Sequence, residues 1–297
     1  MIYSFVITLR EALEAALIIS IVFAYLVRIR RPDLNKYVWF GTGVAIVLSM
    51  ALGAVVLAVY GGLGGVGKEL FEGAAAMTAV VVLTYMIFWM ARNARKIKGE
   101  LEQKIDIAIT TKFLLGIALV TFMAVFREGL ETVLFLTASI FTDPAGTAIG
   151  AAAGFGTVVV IAFFLLRGTR RLPIRKFFTV TSILLLIFAA GILSYGMHEF
   201  IEAAEDSDVE LGWLGEKAYD LNPPENTPFH KKGEVGMVIR GLIGTIYLDP
   251  EWLTLFVYLG YWLIVGTFIV KVYAPTKFNG FVDRIFFRSR WVKQQQK

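Results

Sequence analysis

Long apolar runs separated by short polar segments dominate the chain, and this pattern predicts helices that cross a membrane. A helix needs about 20 mostly apolar residues to cross a hydrocarbon layer of ~30 Å. Seven runs meet that length, at about 2–27, 37–60, 70–91, 112–139, 146–167, 177–202 and 251–271. The sequence therefore predicts an all-α fold, a polytopic membrane helix bundle with seven transmembrane helices.

A longer segment, residues 203–250, separates the last two runs and has an acidic start. Within it "GMVIRGLIGTIYL", residues 236–248, is apolar but too short to span the bilayer. Irregular backbone at membrane depth is tolerated where it is buried in protein. We therefore expect this piece to be interfacial or re-entrant and to pack on the bundle.

Basic residues alternate between the two ends of the predicted bundle. They cluster after the odd-numbered spans, at 28–36, 92–112, 167–176 and 271–297. In the short connections on the other side the only basic residue is Lys68, and the second of them holds Asp143 and no base. Because cytoplasmic loops carry the excess of Lys and Arg, this alternation predicts an outside N-terminus, a cytoplasmic C-terminus and an external 203–250 loop.

Composition narrows the class of protein further. The 297 residues are 57% hydrophobic, with a mean hydropathy of +0.68, which is outside the range of soluble domains. We expect one transmembrane domain over 1–297, in contact with membrane lipid. The formal charge of +5 lies in short loops and reflects topology, so no nucleic-acid partner is expected. The absence of cysteine excludes disulfides and thiolate ligands, and no permanently bound cofactor is expected.

Two charged motifs interrupt the apolar runs, "LREALEA" at 9–15 and "FREGLET" at 126–132. Each residue of an α-helix turns 100°, so the arginine and both glutamates of each motif share one face. Both motifs fall near the middle of the bilayer, where each charge costs about 2.5–3.5 kcal/mol. These side chains must therefore face one another, water or an ion.

Four carboxylates and two guanidiniums leave a net charge that pairing cannot cancel, and a bound cation can. Carboxylate oxygen is a hard ligand that suits iron, manganese, magnesium or calcium ions. The candidate metal ligands are Glu11, Glu14, Glu128 and Glu131, with Arg10 and Arg127 keeping them ionised and in fixed rotamers. The alternative is a structural role, in which Arg–Glu salt bridges lock two helices without a ligand.

The order of the spans predicts an internal symmetry. The first three spans and the next three each begin with a motif helix, and three is odd, so the second set enters the membrane from the opposite side. This arrangement indicates a 3+3 inverted repeat plus one helix, a layout in which transporters bind substrate near the midplane.

Two further acidic pairs stand at predicted external helix ends. They are Glu69 and Glu72 in "KELFEG", and Glu199 and Glu202 in "HEFIEA". Together they predict a negative mouth that concentrates cations where they enter the bundle. The alternative is ordinary solvated helix ends. His198, beside this mouth, is expected to be hydrogen-bonded rather than a metal ligand.

At these residues the chain resembles the oxidase-dependent iron transporter family, the high-affinity iron permeases that include the bacterial EfeU proteins. The family's hallmark is Arg-Glu-x-x-Glu in the first and fourth helices, present here as "REALE" at 10–14 and "REGLE" at 127–131. Supporting similarities are "FEG" at 71–73 and the seven-span layout. The resemblance implies a permease that imports iron, Fe²⁺ or Fe³⁺, as transported substrate across the plasma (inner) membrane. It also implies a partner outside the cytoplasm that oxidises or delivers iron.

Other functions stay open on the residues alone. A transporter of another divalent cation, Mn²⁺ or Pb²⁺, would use the same oxygen ligands. A seven-helix receptor or photoreceptor is a further alternative, but a retinal protein requires a lysine within its last helix, where this chain has none before Lys271. An intramembrane enzyme is disfavoured because no Gly-x-Ser-x-Gly or His-Glu-x-x-His motif lies in the spans. We therefore expect a transporter and not an enzyme.

Overall fold

A computed structural model describes residues 1–141, 143–166, 174–221, 223–224, 227–230 and 234–273. These residues form α-helices and short 3-10 turns, with no named strand among them. The eight helices are α1 (Ile2–Arg28), α2 (Asn35–Gly61), α3 (Val66–Thr110), α4 (Leu115–Ile140), α5 (Pro144–Leu166), α6 (Ile174–Asp206), α7 (Glu234–Ile243) and α8 (Trp252–Tyr273).

The predicted all-helical membrane fold is confirmed. Five helices, α2, α3, α5, α6 and α8, contain stretches long and apolar enough to cross a membrane. The other two long helices, α1 and α4, have 27 and 26 residues but carry a charged motif at their centres. Composition alone therefore recognises five spans, and the count of seven stays a prediction.

The third helix is much longer than its predicted span of 70–91. It continues through the basic segment to Thr110. Leu101, Ile105 and Ala108 recur at helical spacing and are buried against the end of α1 and the start of α2. The segment read from sequence as a charged connection is thus an amphipathic helix, because one of its faces has an apolar surface to pack on.

Three pairs of helices make the main contacts: α1 with α5, α2 with α4, and α3 with α6. Glycines permit the closest approaches. A Cβ at Gly41 of α2 would lie 2.2 Å from the carbonyl oxygen of Ala118, and one at Gly150 of α5 would lie 2.3 Å from that of Met1. Small residues at such crossings are the usual means of close helix packing in membranes.

The segment after α6 turns back along that helix. α7 has ten residues, too few to span, and packs with the following turn against α6. Gly244 adopts a φ of +68° beside Gly191, and the Thr245 amide donates to Ser194 Oγ at 3.1 Å. Ser194 is about 18 Å from the end of α6. The apolar 236–248 stretch therefore packs on the bundle well below the helix end.

Two predicted features fall largely outside the described residues. The basic connection 167–176 is described only for the backbone of 174–176, and the basic tail is described only to residue 273. The charge alternation is visible in the structure only for the first two basic clusters.

Candidate metal centre

The two charged motifs have matching local geometry. Arg10 Nε donates to Glu14 Oε1 at 3.0 Å, and Arg127 Nε donates to Glu131 Oε1 at 2.8 Å. Both bonds join residues four apart on one helix, so each helix orients its own glutamate. Each arginine thus fixes the last glutamate of its own motif.

The fold brings three of the four predicted glutamates together. Carboxylate oxygens of Glu11, Glu128 and Glu131 lie within 4.8 Å of one another, and all three residues are buried. Glu11 is 1% exposed. Among the described residues this is the one group of three or more such side chains close enough to share an ion. Glu14 is buried as well but stands apart from this group, with one oxygen bonded to Arg10.

Several of these oxygens have no hydrogen-bond partner among the described residues. They are both carboxylate oxygens of Glu11 and one each of Glu128 and Glu131. Arg10 Nη1 is also without a hydrogen bond there and lies 3.8 Å from Glu11 Oε1. Buried, unpaired carboxylates are strongly unfavourable. A cation among the three side chains would relieve this cost, as would protonation of the carboxyl groups.

The spacing suits a hard metal ion. Oxygens on opposite sides of an ion with bonds of about 2.0–2.6 Å lie roughly 4–5 Å apart, which matches the observed separation. No cysteine competes for the role. The donor set is oxygen only, which favours iron, manganese, magnesium or calcium over copper.

The two arginines differ in burial although their motifs match. Arg10 is fully buried, whereas the side chain of Arg127 is 43% exposed. The Arg127 guanidinium lies over the ring of Trp89 in α3, with its carbon 4.8 Å from the ring centroid. This cation–π contact holds the Arg127 guanidinium between α3 and its bond to Glu131. The centre is therefore asymmetric.

The outer acids are partly enclosed. Glu72 is 7% exposed and accepts hydrogen bonds from Tyr60 Oη at 2.6 Å and from Tyr195 Oη. Glu199 is buried too, one turn beyond Tyr195. Glu69 is partly buried, and Glu202 is exposed. The structure thus places two of the four acids inside the bundle end, and their role in cation access stays a prediction.

His198 is hydrogen-bonded, as expected. Its Nδ1 lies 2.6 Å from Oε1 of Glu251, the residue just before α8. Thr254 Oγ1 donates to the other Glu251 oxygen at 2.8 Å. Burial opposes ionisation of Glu251, but hydrogen bonds from His198, from the backbone and from Thr254, with the charge of His198, together outweigh it and lower the pKa of this carboxyl. This pair ties α6 to α8.

Sequence reasoning missed four side chains at these sites: Tyr60, Trp89, Tyr195 and Glu251. Each contacts its partner from a different helix, so no local spacing marks it. The tyrosines and Trp89 look like ordinary aromatic residues of a membrane interface. Only Glu251, an acid beside the last apolar run, carries a local signal.

Comparison with known proteins places this centre in context. A profile of the "Iron permease FTR1 family" matches residues 1–273. An uncharacterized protein of Archaeoglobus fulgidus is 44% identical over 256 residues, 86% of this chain and 90% of its own length. The ferrous iron permease EfeU of Escherichia coli O6:H1 is 42% identical over 202 residues, 67% of this chain and 73% of its own.

The same values hold for a protein of Escherichia coli K12 described as a putative inactive ferrous iron permease EfeU. Relatives at this level of identity therefore include one described as a ferrous iron permease and one described as putatively inactive. No solved structure matches the chain significantly.

Proposed function

Because the chain belongs to the iron permease FTR1 family, we propose that it imports iron across the plasma membrane through the carboxylate centre of α1 and α4. Permeases are transporters and not enzymes, and the long apolar helices agree with a multi-pass membrane protein. The EfeU relative of Escherichia coli O6:H1 is described as a ferrous iron permease. Iron is accordingly the substrate, with none held as a resident cofactor.

The observation that carries the proposal is the set of unpaired oxygens shared by Glu11, Glu128 and Glu131. These three side chains hold the ion. Glu14 completes the charge of the site from one turn away, and the two arginines place positive charge beside the carboxylates. With four glutamates and two arginines the centre has a net charge that one divalent ion neutralises. This balance favours Fe²⁺ as the bound form.

The helix contacts support an inverted repeat of α1–α3 and α4–α6. Arg127 follows Arg10 by 117 positions, and Ala118 follows Met1 by the same interval. The close contact of Gly41 with Ala118 thus has its counterpart in that of Gly150 with Met1. The two halves exchange second helices in the same way, as two halves related by a two-fold axis would.

This symmetry favours one domain of seven spanning helices with a central site. In the orientation given by the basic clusters, the start of α1, the turn between α2 and α3 and the end of α6 lie outside the cell. We call this the outer end of the bundle. Glu69, Glu72, Glu199 and Glu202 belong to it and draw cations toward the centre.

Uptake of radioactive iron into vesicles containing the purified protein tests the proposal. Glu11→Gln and Glu128→Gln keep side-chain size but remove the charge, so each should reduce uptake at least about tenfold, the effect expected from losing a charged ligand. Binding of Fe²⁺ to the purified variants should weaken in parallel. Glu102→Gln is the matched control, because Glu102 forms a surface ion pair with Arg28.

Undiminished iron uptake by Glu11→Gln and Glu128→Gln would overturn the proposal. Competition separates the remaining alternative: if Mn²⁺ or Pb²⁺ enters faster than iron in the same vesicles, the protein carries another divalent cation. Supplying Fe²⁺ under reducing conditions and Fe³⁺ as its citrate complex, in separate assays, identifies the oxidation state carried. It also shows whether an oxidising or delivering partner is needed.

A further inference from the structure

One buried carboxylate ties three helices together at the outer end. Tyr60, at the end of α2, donates to Glu72 Oε1 at 2.6 Å, and Tyr195 of α6 donates to Oε2. Glu72 itself belongs to α3 and is 7% exposed. Both of its oxygens are thereby occupied by phenol hydroxyls. In the present conformation, hydrogen bonds to this carboxylate therefore connect α2 and α6 to α3.

Packing holds both phenols in place. The Tyr60 ring stacks on Phe141, at the end of α4, with ring centroids 3.9 Å apart, and the Lys68 ammonium lies 5.1 Å from the Tyr60 ring centroid. Tyr195 precedes Gly196, where α6 touches α3 so closely that an added Cβ would lie 2.7 Å from that of Ala76. These contacts hold the phenol groups beside Glu72 while α2 and α6 stay in place.

An apolar layer lies between Glu72 and the metal centre. Tyr3, Phe135 and Phe188 belong to one buried cluster that also includes Ala79. Tyr3 is about 12 Å along α1 from Glu11 and Phe135 about 6 Å along α4 from Glu131, both toward the outer end. The Tyr3 and Phe188 rings meet edge to face at 5.4 Å, and Tyr3 Oη donates to the Phe135 carbonyl at 3.2 Å.

A hydrated cation cannot pass this layer as packed, because buried apolar side chains offer it no ligand. The conformation described is therefore closed toward the outer end. Any route from there to Glu11 requires the helices around the layer to separate, and the Glu72 bonds oppose that separation directly.

We propose that Glu72, Tyr60 and Tyr195 form the outer gate of the transport route. The gate is closed while the phenols bond the carboxylate. A cation that binds Glu72 takes the place of the hydroxyl groups, which releases α2 and α6 from α3 and opens the layer beneath. The proposal rests on the proposed function only in treating the chain as a transporter.

Cysteine labelling tests the gate, because the native chain contains no cysteine. Ala79→Cys places a thiol at a site that is 1% exposed, about 10 Å below Glu72 along α3. A membrane-impermeant maleimide added to intact cells should modify it slowly. With Tyr60→Phe and Tyr195→Phe together, the buried carboxylate loses its partners and favours the open, hydrated state, so labelling should be roughly tenfold faster or more.

Each single Phe variant should give an intermediate rate, which keeps the test decisive if the combined variant does not fold. Tyr25→Phe is the matched control: it removes a phenol–carboxylate bond, of 3.2 Å to Asp106, at the opposite end of the bundle and should leave the rate unchanged. Asp143→Cys, in the exposed turn before α5, should be modified readily from outside.

Three results would overturn the gate: equal labelling of Ala79→Cys with and without the phenols, equal acceleration by Tyr25→Phe, or no external labelling of Asp143→Cys. The last result would place this end in the cytoplasm. Labelling uses no iron, so a failed gate leaves the iron proposal intact. Conversely, the glutamate variants could take up iron normally while Ala79→Cys is labelled as the gate predicts. That combination would reject only the transport site.

Discussion

Single side chains decide how the metal centre holds its charge. Arg10 and Arg127 occupy equivalent places in two identical patterns, yet only Arg127 meets an aromatic ring. Among the cation–π pairs of the described residues, none involves Arg10. The Arg127 guanidinium contacts both Trp89 and Glu131, and among the described residues it forms no ion pair with Glu128, one oxygen of which has no hydrogen-bond partner there.

Replacing Trp89 should therefore weaken ion binding without touching a ligand. In Trp89→Leu the guanidinium is free to pair with Glu128 and compete with the cation. We expect the KM for iron to rise about 3- to 30-fold, the range of a lost cation–π contact, with a smaller change in kcat. Vesicle uptake at varied iron concentration measures both.

Trp89→Phe retains a ring face and should restore most of the affinity. Trp262→Leu, a partly buried tryptophan of α8, is the control for losing an indole from a spanning helix. An unchanged KM in Trp89→Leu, or no recovery with phenylalanine, would remove Trp89 from the mechanism.

At this scale the sequence identifies the clustered carboxylates well and the side chains that contact the buried acids poorly. Charges in an apolar run are conspicuous, because membranes exclude them, and so Glu11, Glu128 and Glu131 could be chosen in advance. Tyr60 and Tyr195 could not, since a tyrosine at a span end has an ordinary interfacial explanation. Their function depends on Glu72 lying across a helix interface.

Helices are the next scale, and their closest contacts depend on glycine. A Cβ at Gly154 of α5 would lie 2.7 Å from the carbonyl oxygen of Phe5 in α1, whereas one at Gly156 meets nothing within 4 Å. The two glycines are two residues apart on the same helix and so face different surroundings.

Gly154→Ala should destabilise the protein by about 1–3 kcal/mol, as overpacking does, because α1 must move away from α5. Gly156→Ala should be neutral or slightly stabilising, since alanine favours helix. Thermal unfolding of the purified variants in detergent compares them. Similar melting temperatures for the two variants would contradict the close contact of α1 and α5.

The positions of the helices could be predicted because a long apolar run is a strong signal. The C-terminal end of α3 could not. The continuation of α3 to Thr110 depends on Leu101 and Ile105 finding an apolar surface at the end of α1. In the sequence, the charges of that segment are more conspicuous than its apolar positions. Its buried face becomes visible only when the neighbouring helices are placed.

For the whole molecule, one of the contacts between the six repeat helices and the start of α8 is the Glu251–His198 pair, whose strength depends on pH. Glu251 is buried, and its contact with His198 lowers its pKa. A carboxyl whose folded pKa is lowered adds stability above its unfolded pKa of about 4.3 and loses it as pH falls through the folded value.

Glu251→Gln should accordingly lower the free energy of unfolding by about 1–3 kcal/mol at neutral pH. The difference from the native protein should shrink as the pH falls below about 4. Thermal melts over pH 3–7 measure this, with exposed Glu216→Gln as control. A difference between native and variant that does not change with pH would exclude the ion pair as its source.

The unequal burial of the two arginines has a final consequence. If the halves are true repeats, each can adopt the conformation of the other. The molecule then has a second state, related to the first by the two-fold axis between the halves. In that state Arg10 would take the half-exposed position and Arg127 the enclosed one. The structure of one state thus predicts that of the other, in which the glutamates face the other side of the membrane.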